Sequence, residues 1–70
     1  TALREVMDVE QKALDIGARV TVCCPDGSKH TFKIPPRTAD MTTFRFRRVL
    51  SGGRDLYITV RCKGGPKPAN

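Results

Sequence analysis

Residues 33–60 read KIPPRTADMTTFRFRRVLSGGRDLYITV, and this stretch decides the fold class. Pro35 and Pro36 end whatever precedes them, because proline fixes φ and has no N–H to donate. Residues 43–50 then alternate, with Phe44 and Phe46 to one side and Arg45 and Arg47 to the other, which predicts a strand. Ser51-Gly52-Gly53-Arg54-Asp55 predicts a turn. Residues 56–61 alternate again, with Leu56, Ile58 and Val60 inward and Tyr57, Thr59 and Arg61 outward.

Working outward, residues 19–24 are alternating and β-branched, hence a strand. Pro25-Asp26-Gly27-Ser28 follows, and Asp-Gly predicts a type I′ hairpin turn with both central residues at positive φ. Residues 29–34 return, with His30, Phe32 and Ile34 on one face and Lys29, Thr31 and Lys33 on the other. Nearer the start, Leu3, Val6, Met7, Val9, Ala13, Leu14 and Ile16 recur at loosely helical spacing. A helix is expected over residues 8–15, ended by Gly17, while residues 3–9 fit a strand equally well.

The expected architecture is mostly β: a small antiparallel sandwich or half-open barrel of four strands, with a short N-terminal helix over one open end. Residues 1–63 form the domain, and residues 64–70, rich in Gly and Pro, are a flexible tail or linker. The expected core is Val20, Val22, Phe32, Ile34, Phe44, Phe46, Val49, Leu56, Ile58 and Val60. Thr1 in place of Met suggests a processed protein or a domain cut from something longer.

Seventy residues bury only about 60% of their unfolded surface, so a deep catalytic cleft would compete with the core for the same side chains. No enzymatic activity is expected. No apolar run nears the roughly 20 residues of a membrane span. Three cysteines without framework spacing predict a reducing compartment, the cytoplasm, with an organelle also compatible. The net charge of +6 suits an acidic partner or nucleic acid, and otherwise serves solubility.

Cys23, Cys24, His30 and Cys62 are zinc-type ligands, but adjacent strand cysteines point to opposite faces and cannot chelate one ion together. Neither a metal nor a cofactor is expected. A pair of Cys23 or Cys24 with His30 across the hairpin has only Asp26 to orient it, and a near-surface strand histidine is the simpler reading. Gly52-Gly53 opens no helix and reads as a turn, not a phosphate loop. Arg45, Arg47 and Arg61 with Tyr57 form a basic, partly aromatic face, which makes a nucleic-acid-binding β-domain the alternative function.

The ordered pieces Gly17-Ala18-Arg19-Val20-Thr21-Val22, Asp26-Gly27, Lys33-Ile34-Pro35-Pro36, Thr43-Phe44-Arg45-Phe46-Arg47 and Asp55-Leu56-Tyr57-Ile58-Thr59-Val60 together resemble the C-terminal, substrate-binding β-domain of J-domain (DnaJ-type) co-chaperones. The likeness spans residues 13–61 and is nearer the second of that family's two subdomains. Departures are Arg37 after Ile-Pro-Pro and Met41 before the Thr-rich strand, where the family has glycine, and Arg47-Arg48-Val49 in place of a Gly-Lys-Gly-like bend after the alternating strand. The family's zinc-binding Cys-x-x-Cys repeats and its His-Pro-Asp tripeptide are absent. The resemblance implies a module that binds unfolded or partly folded polypeptide, or the acidic tail of a seventy-kilodalton heat-shock chaperone. It places peptide contacts at Val20, Val22 and Val6, and it makes Lys29, Lys33, Arg45 and Arg47 the candidates for an acidic tail.

Overall fold

The computed structural model describes residues 2–64. Five strands and one helix run in the order β1 (Leu3–Val9), α1 (Gln11–Ile16), β2 (Ala18–Cys23), β3 (Lys29–Ile34), β4 (Thr42–Phe46) and β5 (Leu56–Cys62). They make two sheets, one of three strands in the order β1-β5-β4 and one hairpin of β2 and β3. The mostly β sandwich is as expected, with two differences at its start. The helix is the second element and is shorter than residues 8–15. Ahead of it, β1 adds a fifth strand that pairs in parallel with β5, Leu3 opposite Leu56 and Val9 opposite Cys62. The other two pairings are antiparallel. Pairing with β5 overrides the weak helical spacing of residues 3–9, and every second residue (Leu3, Glu5, Met7, Val9) then turns toward the other sheet.

The core lies between the sheets. Leu14, Ile34, Leu56, Ile58 and Val60 are fully buried. One cluster joins Leu14 of the helix to Val9, Ile34, Val60 and Cys62, so α1 closes that end of the sandwich with a single leucine. The other joins Val22, Cys24, Leu50, Leu56 and Ile58. Phe32 of the hairpin bridges to the opposite sheet, its ring 5.6 Å from Phe44 and 5.0 Å from Phe46. These tilted pairs add about 0.5–1.5 kcal/mol each beyond area burial.

Val49 leaves the expected core: it is 39% exposed, and Leu50 at 4% takes the buried place. The strand expected over residues 43–50 stops at Phe46, because Arg48 enters the left-handed region at φ 54° and turns the chain. The Asp55 carboxylate accepts the Arg48 N–H at 3.0 Å and holds this bend. The hairpin turn also differs from type I′. It closes with Gly27 N–H to the Cys24 carbonyl at 2.9 Å, which puts Pro25 at a central position. Proline cannot take positive φ, so Gly27 alone carries it, at 89°. The tail expected over residues 64–70 lies, apart from Gly64, outside the described residues.

The Pro-Pro loop explains how α1 is held. Arg37 and Thr38 donate their N–H groups to the carbonyls of Asp15 and Leu14, at 3.0 and 2.8 Å. Two of the acceptors that a helix C-terminus leaves open are thereby satisfied from another part of the chain. Gly17 is the hinge of this arrangement. It sits at φ 86°, and a Cβ there would lie 2.7 Å from the Ile34 carbonyl oxygen.

Candidate functional site

Strand β2 pairs only with β3, so its other edge presents unpaired backbone groups among the described residues. Alternation divides its side chains. Ala18, Val20 and Val22 face the core, while Arg19, Thr21 and Cys23 are exposed. At the start of the strand, Ala18 borders a shallow depression of about 300 Å³ that is also lined by Ala13, Ile16 and Gly17, with Glu10 and Lys12 at its rim. Ile16 is 63% exposed there, the largest exposure of any big apolar side chain described. A free edge beside an apolar hollow is the geometry that accepts an added strand: the backbone supplies hydrogen bonds and the hollow supplies selectivity.

The expected peptide contacts do not converge. Val22 is 7% exposed and belongs to the core. Val20 is half-buried and packs against the cluster around Leu14. Val6 is exposed, but on the outward row of β1 with Arg4 and Asp8, on the far side of the other sheet. Ala13, Ile16 and Ala18 make up the apolar lining instead. Ile16 was visible in the sequence as an apolar residue just before the helix-ending glycine, but its exposure depends on how α1 docks.

The expected acidic-tail residues also divide between two surfaces. Lys29 and Lys33 lie on the outer face of the hairpin, opposite Cys23 and Arg19. Arg45 lies on the outer face of the three-stranded sheet and is already engaged. Its Nη2 donates to Asp55 at 2.8 Å and its Nε to the same oxygen at 3.2 Å. Arg45 and the Arg48 N–H hold the Asp55 carboxyl below the usual aspartate range, and the pairing raises Arg45 in turn.

The same holds for the residues of the nucleic-acid alternative. Tyr57 lies opposite Arg4 on one side and Arg45 on the other, with their guanidinium carbons 4.4 and 5.7 Å from its ring centroid. Arg61 donates to Asp8 at 2.7 Å, which lowers the carboxyl and raises the guanidinium. Thr43 and Thr59 join hydroxyls at 2.7 Å between these pairs. Apart from Arg47, which is exposed just past the end of β4, the face is a ladder of groups in contact with one another.

Cys23 is exposed and Cys24 buried, as opposite-face neighbours must be, and Cys62 is buried. His30 is half-buried, with Nε2 3.2 Å from Ser28 Oγ. Ser28 donates its hydroxyl and its N–H to the Asp26 carboxylate, and these two bonds, the hydroxyl first, lower the Asp26 pKa. His30 therefore extends the hydrogen bonding of the turn. No helix among the described residues is long and apolar enough to cross a membrane. No protein-family model matches the chain, and a search of curated proteins returned no match.

Proposed function

We propose that this domain binds extended, non-native polypeptide at the free edge of β2 and serves as a co-chaperone subdomain assisting protein folding. The observation that carries this reading is the continuity of the unpaired β2 edge with the hollow at Ala13, Ile16 and Ala18. Backbone geometry supports the resemblance that motivates it. Among the described residues, Arg37, Met41 and Arg48 are the non-glycine residues at positive φ, at 59°, 68° and 54°. Arg37 and Met41 fall where the co-chaperone pattern has glycine, after Ile-Pro-Pro and before the Thr-rich strand, and Arg48 is the middle residue of the bend where that pattern reads Gly-Lys-Gly. Each donates its N–H to a distant acceptor, respectively the Asp15 carbonyl, the Val60 carbonyl and the Asp55 carboxylate. Tertiary anchoring holds these side chains in a conformation that glycine adopts without cost.

In this reading the partners are unfolded polypeptide and a seventy-kilodalton heat-shock chaperone, and any ATP turnover belongs to that chaperone. The free thiols fit the reducing cytoplasm. The test is an NMR titration of labelled protein with a short apolar peptide and, separately, a short RNA, each at two salt concentrations. Peptide-induced shifts along Ala18–Cys23 and at Ile16 that survive salt support the proposal. Shifts confined to Arg45, Arg47, Tyr57 and Arg61 with RNA, vanishing at high salt, would replace it with nucleic-acid binding.

A further inference from the structure

The face beside the β2 edge carries a charge pattern of its own. Arg19, Thr21 and Cys23 stand opposite Lys33, Thr31 and Lys29. All six are exposed. The two threonine hydroxyls bond to each other at 2.8 Å. The ion pairs among the described residues are Arg45–Asp55, Arg61–Asp8 and Lys63–Glu10, and none of them involves Arg19, Lys29 or Lys33. Three cations therefore share one sheet face with no carboxylate paired to them. The inward row of the same strand, Ala18, Val20 and Val22, is wholly apolar.

A strand added at this edge must alternate in step with β2. One row of its side chains joins Ala18, Val20 and the hollow, and the other row stands beside Arg19. We infer, resting on the peptide-binding reading above, that β2 selects extended segments of other proteins in which apolar and acidic residues alternate. Strands lie about 4.8 Å apart, so an acid on the incoming strand neighbours Arg19 and is two strands from Lys33, within reach of long side chains. A lysine in the same place meets like charge. The apolar row supplies affinity, and the basic row rejects the wrong partners.

A second copy of the chain is a poorer occupant. Its net charge of +6 opposes self-association. Its most acidic strand, β1, places Glu5 among the apolar residues of one row and Arg4 beside Asp8 in the other, so it offers no clean alternation.

The experiment compares three peptides of equal length, with valine alternating with glutamate, serine or lysine, titrated into the labelled chain at low and high salt. Affinity is expected to fall in that order, by roughly tenfold from glutamate to lysine at low salt. The spread should shrink at high salt, with shifts at Ala18–Cys23 throughout. The double variant R19E/K33E should reverse the order, and K33Q alone should narrow it; both positions are exposed, and the amide spectrum verifies that each variant folds. Equal affinity of the three peptides at β2 overturns charge selection but leaves peptide binding standing. Binding of none overturns both, and glutamate-peptide shifts on the Arg45–Arg47 face overturn the assignment to β2.

Discussion

The outer face of the three-stranded sheet and the outer face of the β2–β3 hairpin share a sequence pattern, in which basic and polar residues alternate with apolar ones that enter the core. On the first, most cations are engaged within the domain, Arg45 by Asp55, Arg61 by Asp8 and Arg4 against the Tyr57 ring, while Arg47, just past the end of β4, is in none of the ion pairs among the described residues. On the second, Arg19, Lys29 and Lys33 have no carboxylate partner among the described residues, and the strand edge beside them is open. The difference teaches that basic alternation by itself says little about binding. What matters is whether acidic residues are placed in register to answer it. Asp8 meets Arg61 because β1 pairs with β5, whereas Glu10 and Asp15 lie outside the hairpin register altogether.

The largest test of this contrast removes the support of the three-stranded sheet. Ile58 is fully buried on central strand β5, and Ile58→Ala should cost about 4 kcal/mol in urea unfolding. A loss below about 1 kcal/mol would mean that the hairpin, not this sheet, dominates stability. Next in size is the junction that delivers the β2 edge. Gly17→Ala forces a Cβ against the Ile34 carbonyl at a positive φ and should cost about 3 kcal/mol. If it is tolerated without loss, the packing of α1 against the Pro-Pro loop is looser than the hydrogen bonds of Arg37 and Thr38 require.

Replacing the left-handed residues should act in the opposite direction. Arg37→Gly, Met41→Gly and Arg48→Gly should each stabilise by about 0.5–1 kcal/mol, the relief of backbone strain exceeding the added freedom of the unfolded chain. Destabilisation by all three would argue that these side chains, not the backbone they adopt, were holding the loops.

The smallest effect is a pH dependence that should belong mostly to the three-stranded sheet. Asp55 and Asp8 titrate below the usual aspartate range, so they release protons more readily in the folded state than in the unfolded one. Their contribution is full above the unfolded value and is lost as pH falls through the folded value. Asp55→Asn should therefore flatten part of the acid limb of the stability profile, with little effect at low pH. Because Asp8 is exposed and Asp55, half-buried, pairs with an exposed Arg45, the same limb should weaken in high salt. An acid limb unchanged in Asp55→Asn would show that the Arg45 pair contributes nothing measurable.

Several elements were legible in the sequence because their signals are local. Residues 29–34 alternate between turn residues and proline and form β3 as expected. Leu56, Ile58 and Val60 occupy every second place of a β-branched run and are fully buried. The separation of Phe44 and Phe46 from Arg45 also follows from the strand period alone. The candidate site was legible only in part. Strand β2 was the expected locus, but Val22 went to the core, Val6 to the far face, and the apolar lining came from Ala13 and Ile16.

These placements share a cause. A strand's faces follow from its own period, but which face meets water depends on a partner far away in the chain. Composition, turns and period two determined a mostly β sandwich with a hairpin at Asp26-Gly27. Tertiary structure decided that Leu3–Val9 is a strand, because parallel pairing requires β5 more than forty residues later. It also put Arg37, Met41 and Arg48 in left-handed backbone, since only distant hydrogen-bond acceptors offset that strain. Finally, it decided which cations are paired within the domain and which are not, because ion pairs form across strands whose register no local pattern specifies.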